Sequence, residues 1–437
     1  MSASIQAARV SDFTQSIGVN THLGYLGTPQ ANEPVVAAAL AYLGVNHVRD
    51  VAPVSYMLPT YEELAANGVR FDLIATPYNT DVATALPGSI AEIDQLQIAD
   101  PGSVSSIEGP NEVNAPGNNV TYNGAAASSD PAVADEIMQA IYSAVHGDAT
   151  LKGVLVLNLS VSGGEPGWQN YIAGMGNMSS YIDLNSGSVY PNQGGMPATW
   201  LQQYLPVEEQ PAPGKPLVIR EIGYSTNTLT TDPTGAVDLA TQAKDTLDLL
   251  ADAYKMGSQQ TYIYQLLDDF NNPTPTSDVY GSCGLFHTDG TPKPAATAIH
   301  NLTSILADSG STAQSFTPGT LNYSIPTLPA DGNSLLLEKS SGAFDIMVWA
   351  EPNNWDPTTN TEISVPAVNT PVNLGATYQT VKVFDPLQGT SPIQTLNNVS
   401  SVNLSLTDHP LIVEVEPNST EKSSATALSA HATAIPP

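Results

Sequence analysis

The sequence has few basic residues and only one cysteine. Lysine and arginine together number 12 against 42 aspartates and glutamates in 437 residues, which gives a formal net charge of −30 at pH 7. Because this charge repels polyanions, we expect neither nucleic acid nor an anionic membrane surface as a partner. The single cysteine, Cys283, excludes a disulfide within the chain and is predicted to be a small core residue.

Long hydrophobic runs are also absent, and no stretch approaches the roughly 18 uninterrupted apolar residues of a membrane span. Residues 1–9 lack the charged start and apolar block of a signal peptide. Only 12% of all residues are charged, so the surface must be built largely from Ser, Thr, Asn, Gln and Gly. Such a surface avoids repulsion among many cations when carboxylates become neutral at low pH. We therefore expect a secreted protein, its leader already removed, that is adapted to an acidic exterior.

The first 310 residues alternate short β-rich runs with helical stretches, which is the pattern of parallel βα units. Eight runs are predicted as strands, and their starts are about 35 residues apart, close to the repeat of a (β/α)8 barrel. The runs are residues 16–23, 47–52, 70–76, 105–112, 154–160, 183–191, 217–225 and 261–268. We therefore predict an α/β fold in which residues 1–310 form a closed (β/α)8 TIM barrel.

After about residue 311 the helical periodicity disappears and alternating runs separated by Pro, Asn and Gly turns take its place. This pattern predicts a small antiparallel β-sandwich over residues 311–418. The sequence leaves open whether the first fifteen residues add a strand to it. Residues 419–437 are poor in bulky apolar groups and are predicted to be a flexible tail.

Two glutamates stand at the ends of predicted strands. Glu112 closes the fourth, in Ser-Ile-Glu-Gly-Pro-Asn-Glu, and Glu221 closes the seventh, in Pro-Leu-Val-Ile-Arg-Glu. In a barrel of this type the active-site residues lie at the carboxyl ends of the strands. Two carboxyls that face one cleft can cleave a glycosidic bond, because one protonates the leaving oxygen while the other attacks the anomeric carbon or activates a water. A salt-bridge partner or a helix cap is the alternative role for each, but cationic partners are scarce.

The placement of these glutamates on strands 4 and 7 resembles clan A of the glycoside hydrolases. Further segments of the barrel are similar to glycoside hydrolase family 39 and its close relatives: Gly18-Val19-Asn20-Thr21-His22, Val48-Arg49-Asp50, Tyr262-x-Tyr264-x-Leu266-Leu267-Asp268, Gly284-Leu285-Phe286 and Asp289-Gly290-x-Pro292-Lys293-Pro294-Ala295. The likeness spans residues 16–310. The sequence departs from it at Gly109-Pro110, where many members carry an aromatic residue, and at Val113, where Pro often follows.

The resemblance implies roles for the residues around the two carboxyls. Glu112 is expected to act first as general acid and then as general base, and Glu221 as a nucleophile that stays ionised. Arg49 either holds the Glu221 carboxylate or forms an ordinary ion pair with Asp50. Tyr190, on strand 6, is expected to donate its hydroxyl to Glu221.

Other residues are candidates for substrate contact. Asn111 either binds the sugar 2-hydroxyl or caps a turn. His22, Tyr264 and Trp168 are expected near sugar subsites, with simple packing as the alternative. The other aromatic candidates on the same loops are Tyr25, Tyr78, Tyr122 and Trp200. Glu108 and Glu112 are an even number of residues apart, so on one strand their side chains point to the same side. If Glu108 points into the barrel, its buried carboxyl needs a partner.

No cofactor is expected, because neither a zinc motif nor a nucleophile elbow is present and the only dinucleotide-like glycine run does not follow a strand. The acidic residues between Asp268 and Asp278 would suit calcium, although a solvated loop explains them more simply. The sequence thus predicts a secreted, retaining β-glycosidase for β-linked poly- or oligosaccharides of the xyloside or glucoside type. A transglycosidase and a non-catalytic carbohydrate-binding barrel are the alternatives. The sugar, its linkage, endo or exo cleavage and the oligomeric state stay open.

Overall fold

The computed structural model describes residues 3–416, so the tail predicted for residues 419–437 lies outside the described part. Eight parallel strands form one sheet within this range. We call them barrel strands 1 to 8, and in order they are Ile17–Asn20, His47–Val51, Arg70–Ile74, Val104–Glu108, Leu155–Leu157, Asn185–Val189, Leu217–Ile222 and Ser258–Ile263.

The sheet closes on itself. Strand 8 pairs with strand 1 through Thr261 and Ile17, and a parallel bridge between Leu157 and Leu184 joins the fifth strand to the segment that enters the sixth. The predicted TIM barrel is therefore confirmed. All eight strands end one to five residues before the predicted runs do. The difference that matters for the site is in strand 4, which ends at Glu108, so that Glu112 lies four residues beyond it.

Nine α-helices occur in the described residues: α1 Val10–Gln15, α2 Glu33–Leu43, α3 Leu58–Ala66, α4 Val82–Ala99, α5 Pro131–Gly147, α6 Trp168–Met175, α7 Pro197–Glu208, α8 Leu239–Lys255 and α9 Pro294–Ile305. Helix α2 buries an apolar stripe and ends at Gly44, whose φ of 69° suits a residue without a side chain. Asp130 caps α5 by accepting a hydrogen bond from the Ala132 N–H. Helices α2 to α9 follow the eight strands in turn, and none of the helices in residues 3–416 is both long and apolar enough to cross a bilayer.

The second module is a largely antiparallel sandwich. Its main sheet has six strands, in the spatial order Gln394–Leu406, Val368–Phe384, Leu411–Val415, Phe344–Ala350, Gly332–Glu338 and Ala8–Arg9. A smaller sheet pairs Ala3–Gln6 with Thr320–Tyr323. The question left open by the sequence is thus answered, because both N-terminal strands add to the sandwich.

Helix α8 of the barrel packs against the sandwich through an unusual group of acids. Asp245, Asp248 and Asp252 on α8 are between 0% and 1% exposed, and Glu351 of the sandwich is 9% exposed. We call these four residues the interface carboxyl cluster. The Trp349 indole N–H donates to Asp252 Oδ1 at 3.1 Å, so this buried tryptophan helps to join the two modules.

Trp355 is also buried, and its ring lies directly over Gly194 of the barrel, where a Cβ atom would come within 2.5 Å of the ring. Both sandwich tryptophans therefore pack against the barrel.

Candidate active site

A cleft of about 540 Å³ opens at the carboxyl ends of the barrel strands. Glu112 and Glu221 both line it, together with Arg49, Asn111 and Tyr190. The fold thus brings together five of the residues that the sequence predicted for one site, although they are up to 172 positions apart in the chain.

Glu221 lies inside strand 7 and is only 7% exposed. Its Oε1 accepts a hydrogen bond of 2.6 Å from Arg49 Nη1, and its Oε2 accepts one of 2.8 Å from the Tyr190 hydroxyl. Burial alone would raise the pKa of this carboxyl, but Arg49, Arg220 and the Tyr190 hydroxyl hold the pKa below its usual value. Glu221 is therefore kept ionised.

Arg49 uses all of its guanidinium nitrogens. Besides Glu221 it binds both oxygens of Glu108, at 2.6 Å and 2.8 Å, and it donates to Asn20 Oδ1 at 2.9 Å and to Asn111 Oδ1 at 3.0 Å. A rigid, planar donor with this many partners fixes the positions of the surrounding side chains.

The alternative considered for Arg49, an ion pair with Asp50, is not formed. Asp50 instead accepts hydrogen bonds from the Thr21 hydroxyl at 2.6 Å and from the Leu23 N–H at 2.9 Å.

Glu108 is fully buried at the end of strand 4 and points into the barrel. Its carboxylate is shared between Arg49 and Arg220, the second at 3.1 Å. The partner that a buried acid needs is thus present, and the pair of arginines places net positive charge below Glu221.

Glu112 is carried by the loop that follows strand 4. Strand 4 has already ended before Pro110, and Gly109 lets the backbone pass close to the segment after strand 5, because a Cβ atom there would meet Leu159 Cβ at 2.6 Å. Glu112 itself has a φ of 45°, and its N–H donates to the Ser160 hydroxyl. This backbone directs the residue into the cleft that also contains Glu221.

The environment of Glu112 is opposite in effect to that of Glu221. Burial raises the pKa of Glu112, and the nearby Glu221 carboxylate raises it further, against a smaller lowering by the Ser162 hydroxyl. One carboxyl of the pair is therefore driven towards the protonated form and the other towards the ionised form. Pairs whose pKa values are pushed apart in this way divide the acid and base roles between them.

No protein-family model matches the sequence, and no curated protein sequence matches it significantly. Solved structures with the same architecture do exist. A monomeric β-xylosidase from Caulobacter crescentus CB15 superposes with a TM-score of 0.59 at 14% identity, over 94% of this chain and 98% of that one. A family 39 enzyme from Xanthomonas axonopodis pv. citri gives 0.57 at 13% identity, over 94% and 96%. The chain has the fold of glycoside hydrolase family 39.

A second structure of a family 39 β-xylosidase from Caulobacter crescentus agrees, with a TM-score of 0.58, 13% identity and coverage of 95% of this chain and 98% of that one. These alignments extend over both modules, because they cover nearly the whole of each chain. The family 39 fold therefore includes the sandwich here as well as the barrel.

Asn111 has all of its amide atoms engaged. Its Oδ1 accepts from Arg49 and from the Ser160 hydroxyl, at 3.0 Å and 2.7 Å, while its Nδ2 donates to the Tyr78 hydroxyl at 2.6 Å. The residue lines the cleft beside Glu112 with a fixed orientation.

His22 and Tyr264 form part of the cleft wall. The His22 ring stacks on Tyr25 with centroids 4.6 Å apart and meets the edge of Tyr264 at 5.4 Å. Burial lowers the pKa of His22 to about 4, so the imidazole is neutral over most of the acidic range. Both side chains thus give the cleft an uncharged aromatic wall.

Trp168 is not brought to this cleft. It begins helix α6, is 8% exposed and stacks on Tyr204 with centroids 5.3 Å apart. The expectation that it lies near a sugar subsite is corrected to the packing role considered beside it, because its ring is covered by the neighbouring helix.

Several cleft residues escaped the sequence reasoning. Asn20 and Ser160 orient Arg49 and Asn111, and Tyr280 stacks edge-on against Tyr190 at 4.9 Å. Asn20 lay within a motif already noted on strand 1, so its position at the strand end was a usable signal. Tyr280 lies in a long loop without periodicity, and no sequence pattern marks it.

The acidic loop after strand 8 is organised by a lysine. Lys293 Nζ donates to Asp268 Oδ1 at 2.7 Å, and the Gly284 N–H donates to the same oxygen at 2.9 Å. Across the described part of the chain, no three His, Cys, Asp or Glu side chains are grouped as metal ligands would be.

Replacing Tyr190 by Phe removes one of the three groups that lower the pKa of Glu221. We expect this pKa to rise, so the acidic limb of the kcat/KM profile should move to higher pH. We also expect kcat/KM to fall about 10-fold to 10²-fold, because a hydrogen bond to a charged group contributes roughly 1.5–3 kcal/mol. The matched control is Tyr264→Phe, a cleft tyrosine whose hydroxyl does not bond to Glu221. Equal pH profiles of kcat/KM for the two variants would contradict the conclusion that the Tyr190 hydroxyl lowers the pKa of Glu221.

Proposed function

We propose that this chain is a retaining β-glycosidase in which Glu221 is the nucleophile and Glu112 is the acid/base residue. The observation that carries the proposal is the opposed environment of two carboxyls in one cleft. Arg49, Arg220 and Tyr190 lower the pKa of Glu221, whereas burial and the Glu221 charge raise that of Glu112. A glycosidase of the retaining type needs one carboxylate and one carboxylic acid at the start of its cycle.

In the first step the Glu221 carboxylate attacks the anomeric carbon and forms a glycosyl ester. The bond from that carbon to the leaving oxygen breaks, and Glu112 transfers its proton to this oxygen. In the second step Glu112, now ionised, takes a proton from water as the water oxygen attacks the same carbon. The ester bond breaks and Glu221 returns as a carboxylate.

Asn111 is positioned to contact the sugar that reacts. Its amide is fixed by Arg49, Ser160 and Tyr78, so it presents a fixed polar edge next to Glu112. Contacts to the sugar 2-hydroxyl strengthen in the transition state of this reaction. We assign that contact to Asn111.

The substrate class and setting belong to the same proposal. Two of the structural neighbours are described as β-xylosidases, which supports β-xylosides or β-glucosides as substrates. The low proportion of charged residues, 12%, and the net charge of −30 support a secreted enzyme that works in acid. The functional assay is therefore hydrolysis of β-linked aryl glycosides and polysaccharides at about pH 3 to 6, a range set by carboxyl pKa values near 4.

The Glu112→Gln variant distinguishes the two steps. A dinitrophenyl glycoside has a leaving group that needs no proton, so we expect the variant to form the ester but to hydrolyse it about 10²-fold to 10⁴-fold more slowly than wild type. Added azide needs no general base and should restore turnover. The product should be a β-glycosyl azide, detectable by NMR. Failure of azide to accelerate the variant, or an α-azide product, would contradict the assigned role and the retaining mechanism.

A further inference from the structure

A group of exposed hydrophobic side chains lies beside the cleft. Among the described residues, twelve large hydrophobic side chains are exposed, and five of them lie on three neighbouring loops after barrel strands 1, 2 and 3. The five are Tyr25, Leu26, Val54, Tyr56 and Tyr78. Exposed apolar patches of this kind usually mark a binding surface.

The patch is continuous with the catalytic cleft. The walls of that cleft include Tyr25, Val54, Tyr56 and Tyr78 as well as Glu112 and Glu221. The cleft therefore extends from the two carboxyls across the loops of the first three strands. A ligand that fills it reaches well past the reacting bond.

The tyrosine rings on this wall differ in how firmly they are held. The Tyr25 ring stacks almost parallel to His22, at an angle of 8°, and the Tyr78 hydroxyl is bonded to Asn111. Tyr56 is 69% exposed and has no ring contact or hydrogen bond to any residue in 3–416. Within the described chain no aromatic or polar partner holds this ring, and most of its surface is open to a ligand.

The charges of the cleft restrict what it can bind. Asp50, Asp278, Glu112 and Glu221 line it, and within residues 3–416 Arg49 is the one cation of the lining, already bonded to carboxylates. An anionic sugar would meet mostly negative groups, and the described lining offers no free cation to bind it. Uncharged sugar rings carry apolar C–H faces that stack on aromatic rings.

We propose that Tyr25, Tyr56 and Tyr78 form a stacking platform for further units of a neutral β-linked oligosaccharide. This inference rests on the proposed glycosidase function and narrows its substrate class. The enzyme acts best on chains of several neutral sugar units, and single aryl or alkyl glycosides use only the part of the cleft around Glu221. Tyr56 is the residue that decides the preference for longer chains.

The test compares kcat/KM along a series from an aryl β-monoglycoside to the tetrasaccharide, in both the xylose and the glucose series. We expect wild-type kcat/KM to rise with chain length. Tyr56→Ala should lower kcat/KM for the tetrasaccharide about threefold to tenfold, the range for one aromatic stacking contact, and change the monoglycoside value less than twofold. Ile98→Ala, at a residue 61% exposed on helix α4 and outside the cleft, is the matched control.

The stacking platform is overturned if Tyr56→Ala lowers kcat/KM equally for short and long substrates. It is also overturned if wild-type kcat/KM does not depend on chain length. Binding of xylotetraose and cellotetraose by calorimetry separates this failure from failure of the proposed function. If no substrate is turned over, the glycosidase assignment is wrong, and the platform is then judged by binding alone. In that case the stacking platform is supported only if Tyr56→Ala weakens tetrasaccharide binding and Ile98→Ala does not.

Discussion

Glu221→Gln is expected to lower kcat by about 10⁴-fold or more, as loss of a catalytic nucleophile generally does. The amide is nearly the same size as the carboxylate but is neither charged nor nucleophilic, so the glycosyl ester cannot form. Arg49 and Tyr190 bond to Glu221 at 2.6 Å and 2.8 Å, and an amide oxygen can still accept one of these bonds. The effect should therefore fall on chemistry and leave substrate binding largely intact.

The measurement is kcat and KM on the best substrate of the β-glycoside panel, with circular dichroism to confirm that the variant folds. Glu63→Gln is a suitable control, since Glu63 is an exposed glutamate on helix α3. A folded Glu221→Gln protein that keeps wild-type turnover would exclude Glu221 as the nucleophile. Loss of turnover with sugar binding preserved is the expected pair of results.

The second large effect concerns stability and pH. The interface carboxyl cluster is buried between the barrel and the sandwich, and burial raises the pKa of Asp245 to about 8 and that of Glu351 to about 10. Burial raises the pKa of Asp248 and Asp252 as well. These acids are therefore protonated in the folded protein at acidic pH.

The nearby cations and polar groups offset the burial only in part. Lys244 is bonded to Asp408 and to Glu362, and Lys255 donates to a backbone oxygen of the sandwich at 2.6 Å. Asn354 donates to Asp245 Oδ1 at 2.7 Å, while Asp248 Oδ1 has no hydrogen-bond partner among the described protein atoms. Among residues 3–416, no cation therefore bonds directly to this cluster.

The sign of the pH effect follows from these shifts. Below about pH 4 the four acids are protonated in both the folded and the unfolded chain, and their contribution to stability is fully present. As pH rises, the unfolded chain ionises first, so the free energy of unfolding falls, by at most about 1.4 kcal/mol per pH unit for each such carboxyl. The loss continues until the folded pKa values, about 8 for Asp245 and about 10 for Glu351, are passed.

We therefore expect the Tm to fall on the order of 10 °C or more between pH 4 and pH 8, since several kcal/mol are a large part of total stability. Asp248→Asn removes one titrating group at nearly constant shape. This variant should match wild type at pH 4 and have a higher Tm at pH 8. Glu136→Gln, at an exposed position on helix α5, should follow wild type throughout. A wild-type Tm independent of pH, or equal slopes for both variants, would contradict the prediction.

The barrel could be predicted because its strands and helices have clear sequence periods. A buried parallel strand such as Leu217–Ile222 is a continuous apolar run, and helix α2 repeats its apolar residues at helical spacing. The end of strand 4 was placed wrongly, because the apolar pattern does not show that Gly109 and Pro110 already leave the sheet. Glu112 nevertheless reaches the cleft from the following loop.

The contacts within the site were harder to predict than the residues that form it. Arg49 had two possible partners in the sequence, and only the closed barrel shows that it binds Glu221 and Glu108 while Asp50 bonds to Thr21. The prediction that Trp168 lies near a sugar subsite was wrong, because Trp168 begins helix α6 and stacks on Tyr204 of helix α7. Such choices depend on tertiary geometry, which a local pattern does not contain.

The pairing of the N-terminal strands with the sandwich affects how the chain can fold. Ala3 lies opposite Tyr323 and Ala8 opposite Leu337, so each pair is more than 300 residues apart in sequence. During synthesis the first strands therefore wait for their partners until the whole barrel has left the ribosome. Contacts of such high sequence separation form slowly. Assembly of the sandwich is thus expected to be a late event, after which both ends of the described chain are held in one module.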